Sequence, residues 1–562
     1  MNNQNLNLLT AVVLSIGIMF GWQYFFERPK LEKQVQEHKK YQETIKEVKQ
    51  IQKLEDSVVY DRAEALTKES RVHFKNEDIT GSVNLTGLRI DDVSFLKYRQ
   101  TIDPKSDNVN LLSPSKTNTA YFAEFGWYSS NKEIILPDQD TVWSSDKASF
   151  DAGESVTFSW KSPQNILFKV VMSLDNNYML SVKQEVTNNT PNTLALQSYG
   201  IIYKTFDFED SRMSVVHEGV VGVFGDELKE VAYKEIKDKK KIVNKAGSIN
   251  WFGITDKYWM TTFVPDQKFT YSSNINFFIK NALDRFQIDF ISSAQIVNAG
   301  SILTMNHGLF AGVKDIPVLD EYEDKLHIKL FDRTVDFGWF YIITKPLLYI
   351  LHFFHSIVGN FGVSILIVTV LVKLAMFRLA NKSYRSMKIM KALQPQIEQI
   401  KQRCGDDKTR MNQEVMALYK TNNVNPLSGC LPIFIQIPVF FSLYKVLNVS
   451  IDMRQAPFFG WITDLSVPDP TNLFNLFGLI SFDPPSFLHV GIWPILMAIT
   501  MFLQQKMSPP ASDPVQAQMM KMMPLIFLFM FSSFPAGLLI YWTWNNILSI
   551  AQQAYINRSN AK

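Results

Sequence analysis

Long apolar runs constrain the fold of this 562-residue chain more than any other feature. Residues 6–26 contain no charged side chain, and further apolar runs follow residue 357. About 20 apolar residues are enough for a helix to cross the hydrocarbon core of a bilayer. Only helices and closed barrels satisfy their backbone groups in lipid. The sequence therefore predicts a helical membrane bundle in roughly the last third of the chain, together with one amino-terminal crossing helix.

Residues 1–26 predict an uncleaved anchor rather than a cleaved signal peptide. No Lys or Arg precedes the apolar run, and no site of the A-x-A type follows it. The run ends instead in bulky aromatic residues, which are typical of a membrane interface. Residues 27–57 are rich in Lys, Glu and Gln and lack Gly, so we expect a charged tether there.

Residues 58–328 predict a large all-β domain. Short alternating runs, such as residues 71–75 and 169–174, are separated by Asn, Asp and Gly turn signals. This pattern is typical of an antiparallel β sandwich. Both cysteines of the chain lie outside the region, which excludes a disulfide framework in it, and no Cys/His cluster has metal-ligand spacing. We expect His217 and His307 to be structural, and the acidic residues 207–210 to form a solvated loop.

The remaining residues predict one surface helix followed by five crossings. Residues 329–356 combine aromatic residues with scattered charges, which favours an amphipathic helix in the interface. Pro535 and Gly537 divide the last apolar run, because Pro cannot continue a helix and Gly weakens it. The predicted crossings are residues 357–378, 427–449, 487–506, 519–534 and 535–557.

The distribution of Lys and Arg predicts the orientation of this bundle. Ten of them lie between residues 378 and 425, and only Arg454 lies between residues 450 and 486. Loops rich in Lys and Arg remain cytoplasmic. The loops 379–426 and 507–518, the tail 558–562 and the amino terminus are then cytoplasmic, whereas the loop 450–486 and the β domain are periplasmic. The basic flank after the first helix favours the opposite orientation, but the difference in the number of Lys and Arg between its two sides is smaller than in the bundle.

The loop of residues 379–426 predicts a basic helical hairpin. Residues 383–403 and 408–421 each have helical periodicity, with a Gly-Asp-Asp turn between them. Asp407 is a candidate N-cap of the second helix. The apolar residues expected to face one another are Leu393, Ile397 and Ile400 from the first helix and Met411, Val415 and Leu418 from the second.

Polar residues interrupt the apolar crossings at regular positions. Lys373 lies one helical turn from Thr369, and Gln436 falls within the second bundle helix. The last crossing carries a polar stripe that comprises Trp542, Asn545 or Asn546, Ser549 and Gln552. Polar residues within a membrane usually face the bundle interior or a water-filled cavity. Two alternatives remain open: Lys373 could snorkel to the cytoplasmic interface, and Gln436 could only join two helices.

Several motifs of this region resemble the YidC family of membrane protein insertases. The hairpin contains Leu393-Gln394-Pro395 and Gly405-Asp406-Asp407-Lys408, and later segments contain Ile435-Gln436-Ile437-Pro438 and Phe534-Pro535-Ala536-Gly537-Leu538. The resemblance runs in order from about residue 339 to residue 553. The amino-terminal anchor and the large external β domain are similar to the Gram-negative branch of the family.

The resemblance implies a function. Proteins of this family insert newly made membrane proteins into the inner membrane, alone or beside the Sec translocon, and help them to fold. It implies no catalysis and no cofactor, and the sequence contains no Walker-type phosphate-binding motif. The net charge of +3 is too small to suggest DNA as a partner.

The resemblance also implies a substrate groove. Lys373 stands where the family has an arginine, and Trp542 stands where the family has a tyrosine that touches the substrate. The other expected groove residues are Thr369, Gln436, Asn546 and Ser549. The hairpin would dock the ribosome, targeting factors or substrate through its cations, which are Lys388, Lys391, Lys401, Arg403, Lys408 and Arg410; alternatively, those cations only reflect the charge rule for cytoplasmic loops.

Two other functions are compatible with the composition. One is a small-solute transporter or channel with an external sensing domain, although we find no internal repeat of the kind that transporters show. The other is an envelope enzyme that acts on sugars through the β domain, although no pair of carboxylates has a suitable spacing in the sequence.

Overall fold

The computed structural model describes residues 59–206, 216–280, 283–405, 407–425, 431–481, 484, 489–508 and 514–559. The predicted anchor, the charged tether and the acidic residues 207–210 lie outside these ranges. The chain divides into two compact units, Met1–Thr334 and Val335–Lys562.

The first unit is a sandwich of two large sheets. One sheet has eleven strands, in the order β14-β17-β18-β11-β5-β3-β2-β1-β7, with β19 paired to β11 and β4 paired to β3. The other has nine, in the order β13-β12-β15-β16-β20-β10-β9-β8-β6. Among the described strand pairs only β1 and β7 are parallel. The strands are β1 (Arg71–Lys75), β2 (Ile79–Asn84), β3 (Arg89–Arg99), β4 (Asn108–Leu112), β5 (Tyr121–Tyr128), β6 (Ser144–Ser145), β7 (Ser149–Asp151), β8 (Ser155–Lys161), β9 (Ile166–Leu174), β10 (Met179–Asn188), β11 (Leu194–Phe206), β12 (Gly219–Phe224), β13 (Glu227–Ala232), β14 (Lys241–Gly247), β15 (Ile249–Thr255), β16 (Trp259–Val264), β17 (Tyr271–Lys280), β18 (Leu283–Ser292), β19 (Gln295–Val297) and β20 (Ile302–Val313). The predicted β sandwich is confirmed.

Alternating side chains build the core of this sandwich. Along β9 every second residue is buried, as the period of a pleated strand requires. Aromatic rings then meet between the sheets: Phe263 of one sheet lies 5.1 Å from Phe125 and 5.1 Å from Phe290 of the other. The short helices α1 (Arg62–Thr67), α2 (Tyr233–Lys239) and α3 (Ile316–Leu326) belong to the same unit.

The start of the predicted interfacial helix was wrong. Phe331 is fully buried, and its ring lies 5.3 Å from Phe310 and 5.2 Å from Trp251 of the sandwich. The helix begins only at Tyr341, after a single turn at Gly338–Phe340. The sequence around Phe331 could not reveal this, because a single aromatic residue that packs against a β core looks the same in a sequence as one in the first turn of an amphipathic helix.

The second unit is helical. Its helices are α4 (Tyr341–Val358), α5 (Phe361–Ala375), α6 (Phe377–Ala392), α7 (Gln394–Cys404), α8 (Lys408–Thr421), α9 (Leu431–Val449), α10 (Ile492–Met507), α11 (Pro514–Met530) and α12 (Ala536–Ser559).

The predicted hairpin packs as expected, with one difference. A buried cluster joins Leu393, Ile397 and Ile400 to Val415, and Met411 and Leu418 pack against that cluster. Asp407 caps α8 by accepting a hydrogen bond from the backbone N–H of Arg410 at 3.0 Å. The predicted helix 383–403, however, breaks at Leu393 between α6 and α7. Pro395 explains the break, because it has no N–H to donate to the carbonyl of Lys391 and is well accommodated in the first turn of a helix.

Length and hydropathy single out few of the described helices as membrane spans. Gly338–Val358 passes such a test alone, although the sequence predicted a surface helix there. Helices α5 and α6 pass it only as a pair, and they are bent by 69° at Met376. The five predicted crossings of this unit therefore stay a prediction.

Candidate functional site

The site begins with a lysine inside the bundle. Lys373 lies on α5, and its Nζ donates a hydrogen bond to Oγ of Ser549 on α12 at 2.8 Å. Ser549 is buried, and its Oγ in turn donates to the carbonyl oxygen of Asn545 at 2.7 Å. The half-buried ammonium group of Lys373 therefore lies between two helices, and its positive charge faces polar groups of α12.

A second polar contact joins α9 to α12. The side-chain amide of Gln436 donates to the hydroxyl of Tyr541, which is itself buried. Tyr541 also lines a small cavity with Thr369 and with apolar residues of α4, α5 and α9. Thr369 is buried, and its hydroxyl donates to the carbonyl of Ile365 at 2.6 Å. Lys373, Thr369, Gln436 and Ser549 are thus brought to one side of α12.

The side chains of Trp542 and Asn546 contact other neighbours than Lys373. The Trp542 ring lies 4.7 Å from that of Phe440 on α9 and 5.1 Å from that of Phe531, which follows α11. Asn546 donates to the hydroxyl of Thr500 on α10 at 3.2 Å. The polar stripe predicted for the last helix is therefore divided among several neighbours. Ser549 contacts α5 and Asn546 contacts α10, whereas Gln552 donates to the side-chain oxygen of Asn381 on α6 at 2.8 Å.

Sequence reasoning missed Tyr541. Its position is four residues before Asn545 and eight before Ser549, a spacing that keeps all three on one face of a helix. Tyr384 was also missed; it is a buried residue of α6 that interacts with Ser549. The spacing could have identified Tyr541, whereas the bend after α5 that brings Tyr384 to this place has no signal in the sequence.

The hairpin cations differ in their surroundings. Arg403 and Arg410 both bind Glu414, the second at 3.0 Å, and together they lower the pKa of that carboxyl group. Lys388 donates to the carbonyl of Asn557 near the end of α12 at 3.1 Å. Lys391 is exposed and Lys401 is half-buried, while the side chain of Lys408 lies outside the described part of the chain. The predicted docking cations thus differ in how exposed they are and in whether they already bind a partner within the chain.

Comparisons with known proteins cover the whole chain. The family described as YidC periplasmic domain matches residues 71–350, and the family described as 60Kd inner membrane protein matches residues 353–562. A membrane protein insertase YidC of Rickettsia bellii is 52% identical over 99% of this chain and 100% of its own. A protein of the same name from Rickettsia rickettsii is 52% identical over 100% of both chains.

The chain belongs to the YidC family of membrane protein insertases. As a YidC protein it resides in the inner membrane and carries a periplasmic β sandwich. A solved structure of an active YidC insertase aligns with 86% of this chain and 92% of its own, with 16% identity and a TM-score of 0.36.

Proposed function

We propose that this YidC protein inserts and folds newly made inner-membrane proteins through a polar groove bordered by Lys373, Thr369 and Ser549. The contact between Lys373 and Ser549, at 2.8 Å between α5 and α12, supports this proposal most directly. A charged group at the bilayer centre costs about 3 kcal/mol on insertion scales. Polar side chains inside the bundle lower that cost for a passing segment, so the activity requires binding and release but no chemical step.

The lysine determines which substrates the groove favours. Its positive charge attracts acidic external segments of a substrate. An ammonium group is a point charge, however, and lacks the planar fork with which an arginine binds a carboxylate in two places. We expect selection by charge with weak selection by geometry.

The same proposal includes the topology. The chain crosses the membrane six times, at residues 1–26, 357–378, 427–449, 487–506, 519–534 and 535–557, with its amino terminus in the cytoplasm. The surplus of Lys and Arg between residues 378 and 425 supports a cytoplasmic hairpin. Residues 329–356 would lie along the surface. Fusions of alkaline phosphatase or a fluorescent protein after residues 420 and 470 test this arrangement.

The cytoplasmic hairpin is proposed to receive the ribosome, targeting factors or substrate, and the Sec translocon is a proposed second partner in the membrane. Glu414 already neutralises part of the charge of Arg403 and Arg410. Lys391, which is exposed, is therefore a better candidate for docking an acidic surface than either arginine.

Charge reversal in the groove tests the proposal. In cells depleted of their own insertase, Lys373→Glu should abolish insertion of a single-span substrate with an acidic external tail, and Lys373→Arg should support it. The matched control is Lys382→Glu, since Lys382 is an exposed lysine on α6. The amount of each variant in the membrane must be equal. Normal insertion by Lys373→Glu would refute the groove.

A further inference from the structure

An exposed apolar loop lies between α9 and α10, outside the groove. Residues 473–480 form a compact turn, whose first part is the short helical segment Leu473–Gly478. Its apolar side chains are exposed within the described part of the chain: Leu479 is 86% exposed, and Leu476, Phe477 and Ile480 are each about half exposed. No Lys, Arg, Asp or Glu occurs between residues 470 and 482. Such a patch is costly in water and needs an apolar neighbour.

Several backbone groups of this loop form hydrogen bonds within it or with Asn472. Asn472 accepts from the N–H of Phe474 through its side chain at 3.0 Å and from the N–H of Phe477 through its carbonyl at 2.8 Å. The N–H groups of Leu479 and Ile480 bond to carbonyls within the loop at 3.3 and 3.1 Å. A backbone that needs few hydrogen bonds from water tolerates a lipid environment, where unpaired N–H groups are expensive.

The loop is also fastened to the start of α10. Leu473 donates its N–H to the carbonyl of Val490 at 2.8 Å. Asp469, which is almost fully buried, accepts hydrogen bonds from the N–H groups of Trp493 at 2.8 Å and Thr471 at 3.0 Å. The carboxylate thereby lies at the positive end of α10, where a negative charge is favourable. The apolar loop must therefore remain at the level where α10 begins.

We infer that residues 473–480 insert into the outer leaflet of the bilayer and anchor the outer end of α10. This inference rests on the proposed membrane crossing of α10. The occupant is lipid because the patch continues from a helix that starts in the membrane, carries no charge and forms several of its backbone hydrogen bonds internally.

Fluorescence quenching in the full-length protein tests this inference. Cys404→Ser and Cys430→Ser remove both native thiols, and Leu479→Cys then carries an environment-sensitive dye. The protein is placed in vesicles of phosphatidylethanolamine and phosphatidylglycerol that contain lipids spin-labelled near the headgroup or deep in the chain. Lipid labelled near the headgroup should quench the dye at least twofold, and aqueous iodide should quench it little.

Two matched labels separate the possible failures. Lys132→Cys, on the exposed surface of the sandwich, reports water; Ile499→Cys, half-exposed in the middle of α10, reports the membrane core. One outcome would overturn this inference but leave the proposed crossing of α10 intact. In that outcome iodide quenches Leu479→Cys as strongly as Lys132→Cys, while the deep spin label quenches Ile499→Cys. Iodide quenching at all three positions would refute the proposed crossing of α10. Protection at position 479 only after a second protein is added would also overturn the inference.

Discussion

Both units bury an apolar core, but they differ in the side chains that they expose. In the β unit Trp251, Phe263 and Phe290 are completely buried, and the charges of the surface lie outside them. In the helical unit Trp339 is fully exposed and Ile342 is 85% exposed, whereas Thr344, Ser364 and Thr369 are buried. A β sandwich in water is stabilised by removing apolar surface from solvent. A bundle in lipid has no such gain, so packing and hydrogen bonds between helices hold it together.

This difference predicts which substitutions destabilise each unit most. The few charged groups inside the sandwich must be paired, because their desolvation has no other compensation. In the bundle, the charged side chain of Lys373 lies next to the hydroxyl of Ser549, in the groove proposed above. Substitutions that are severe in one unit should therefore be mild in the other.

The largest effect is expected for Arg71 in the β unit. Its guanidinium binds Asp91, and its Nε donates to the hydroxyl of Ser82 at 2.7 Å; the side chains of Arg71 and Asp91 are 4% and 1% exposed. Arg71→Met leaves a buried carboxylate unpaired and should lower the free energy of unfolding by about 4 kcal/mol. Hydrogen exchange of the full-length protein measures this loss.

The control and the pH dependence make this prediction specific. Lys68→Met breaks an exposed pair with Glu64, which solvent screens, and should leave the free energy of unfolding almost unchanged. Burial raises the pKa of Asp91 to about 6, although Arg71 opposes that shift. The free energy of unfolding that Arg71→Met removes should therefore be smaller at pH 5, where Asp91 is protonated, than at pH 8. An equal loss at both values would contradict the explanation.

His307 should give the β unit a second, slightly smaller dependence on pH. Its Nδ1 accepts from the N–H of Asp266 at 3.3 Å, and its Nε2 lies 3.0 Å from the hydroxyl of Ser198. Burial lowers its pKa to about 4, and the nearby Asp266 only partly opposes this. The unfolded chain then binds a proton below about pH 6.5 and the folded chain only near pH 4, so stability falls by about 3 kcal/mol as the pH is lowered through that window. His307→Gln should remove this component, and an unchanged slope would contradict the assignment.

One substitution compared in both units tests the contrast directly. Ile499 of α10 and Val142 of the β unit are both exposed apolar residues. Ile499→Asp transfers a carboxylate into lipid and should cost about 3 kcal/mol. Val142→Asp faces water and should change stability by less than about 0.5 kcal/mol. Unfolding in mixed micelles measures the first and hydrogen exchange the second; equal effects would show that Ile499 does not face lipid.

Local patterns predicted the fold better than they predicted the site. Alternation identified strands such as β1 and β9, because burial follows the period of a strand directly. The helical period likewise paired Ile397 with Val415. The bend of 69° after α5 and the direction of Trp542 could not be predicted, since both depend on which helices become neighbours. The same holds for Arg403, whose partner Glu414 belongs to the next helix of the hairpin.

The smallest effect concerns the contact between Gln436 and Tyr541. If Gln436 only joins α9 to α12, Gln436→Leu and Tyr541→Phe should each cost about 1 kcal/mol, with a coupling energy of about 0.6 kcal/mol in the double variant. Insertion per folded molecule should then be unchanged. Thermal unfolding of the purified protein and insertion of a single-span substrate are measured side by side. A loss of insertion in Gln436→Leu without a loss of stability would instead place Gln436 in the groove with Lys373, and the bundle would then use this amide for substrate binding rather than for its own packing.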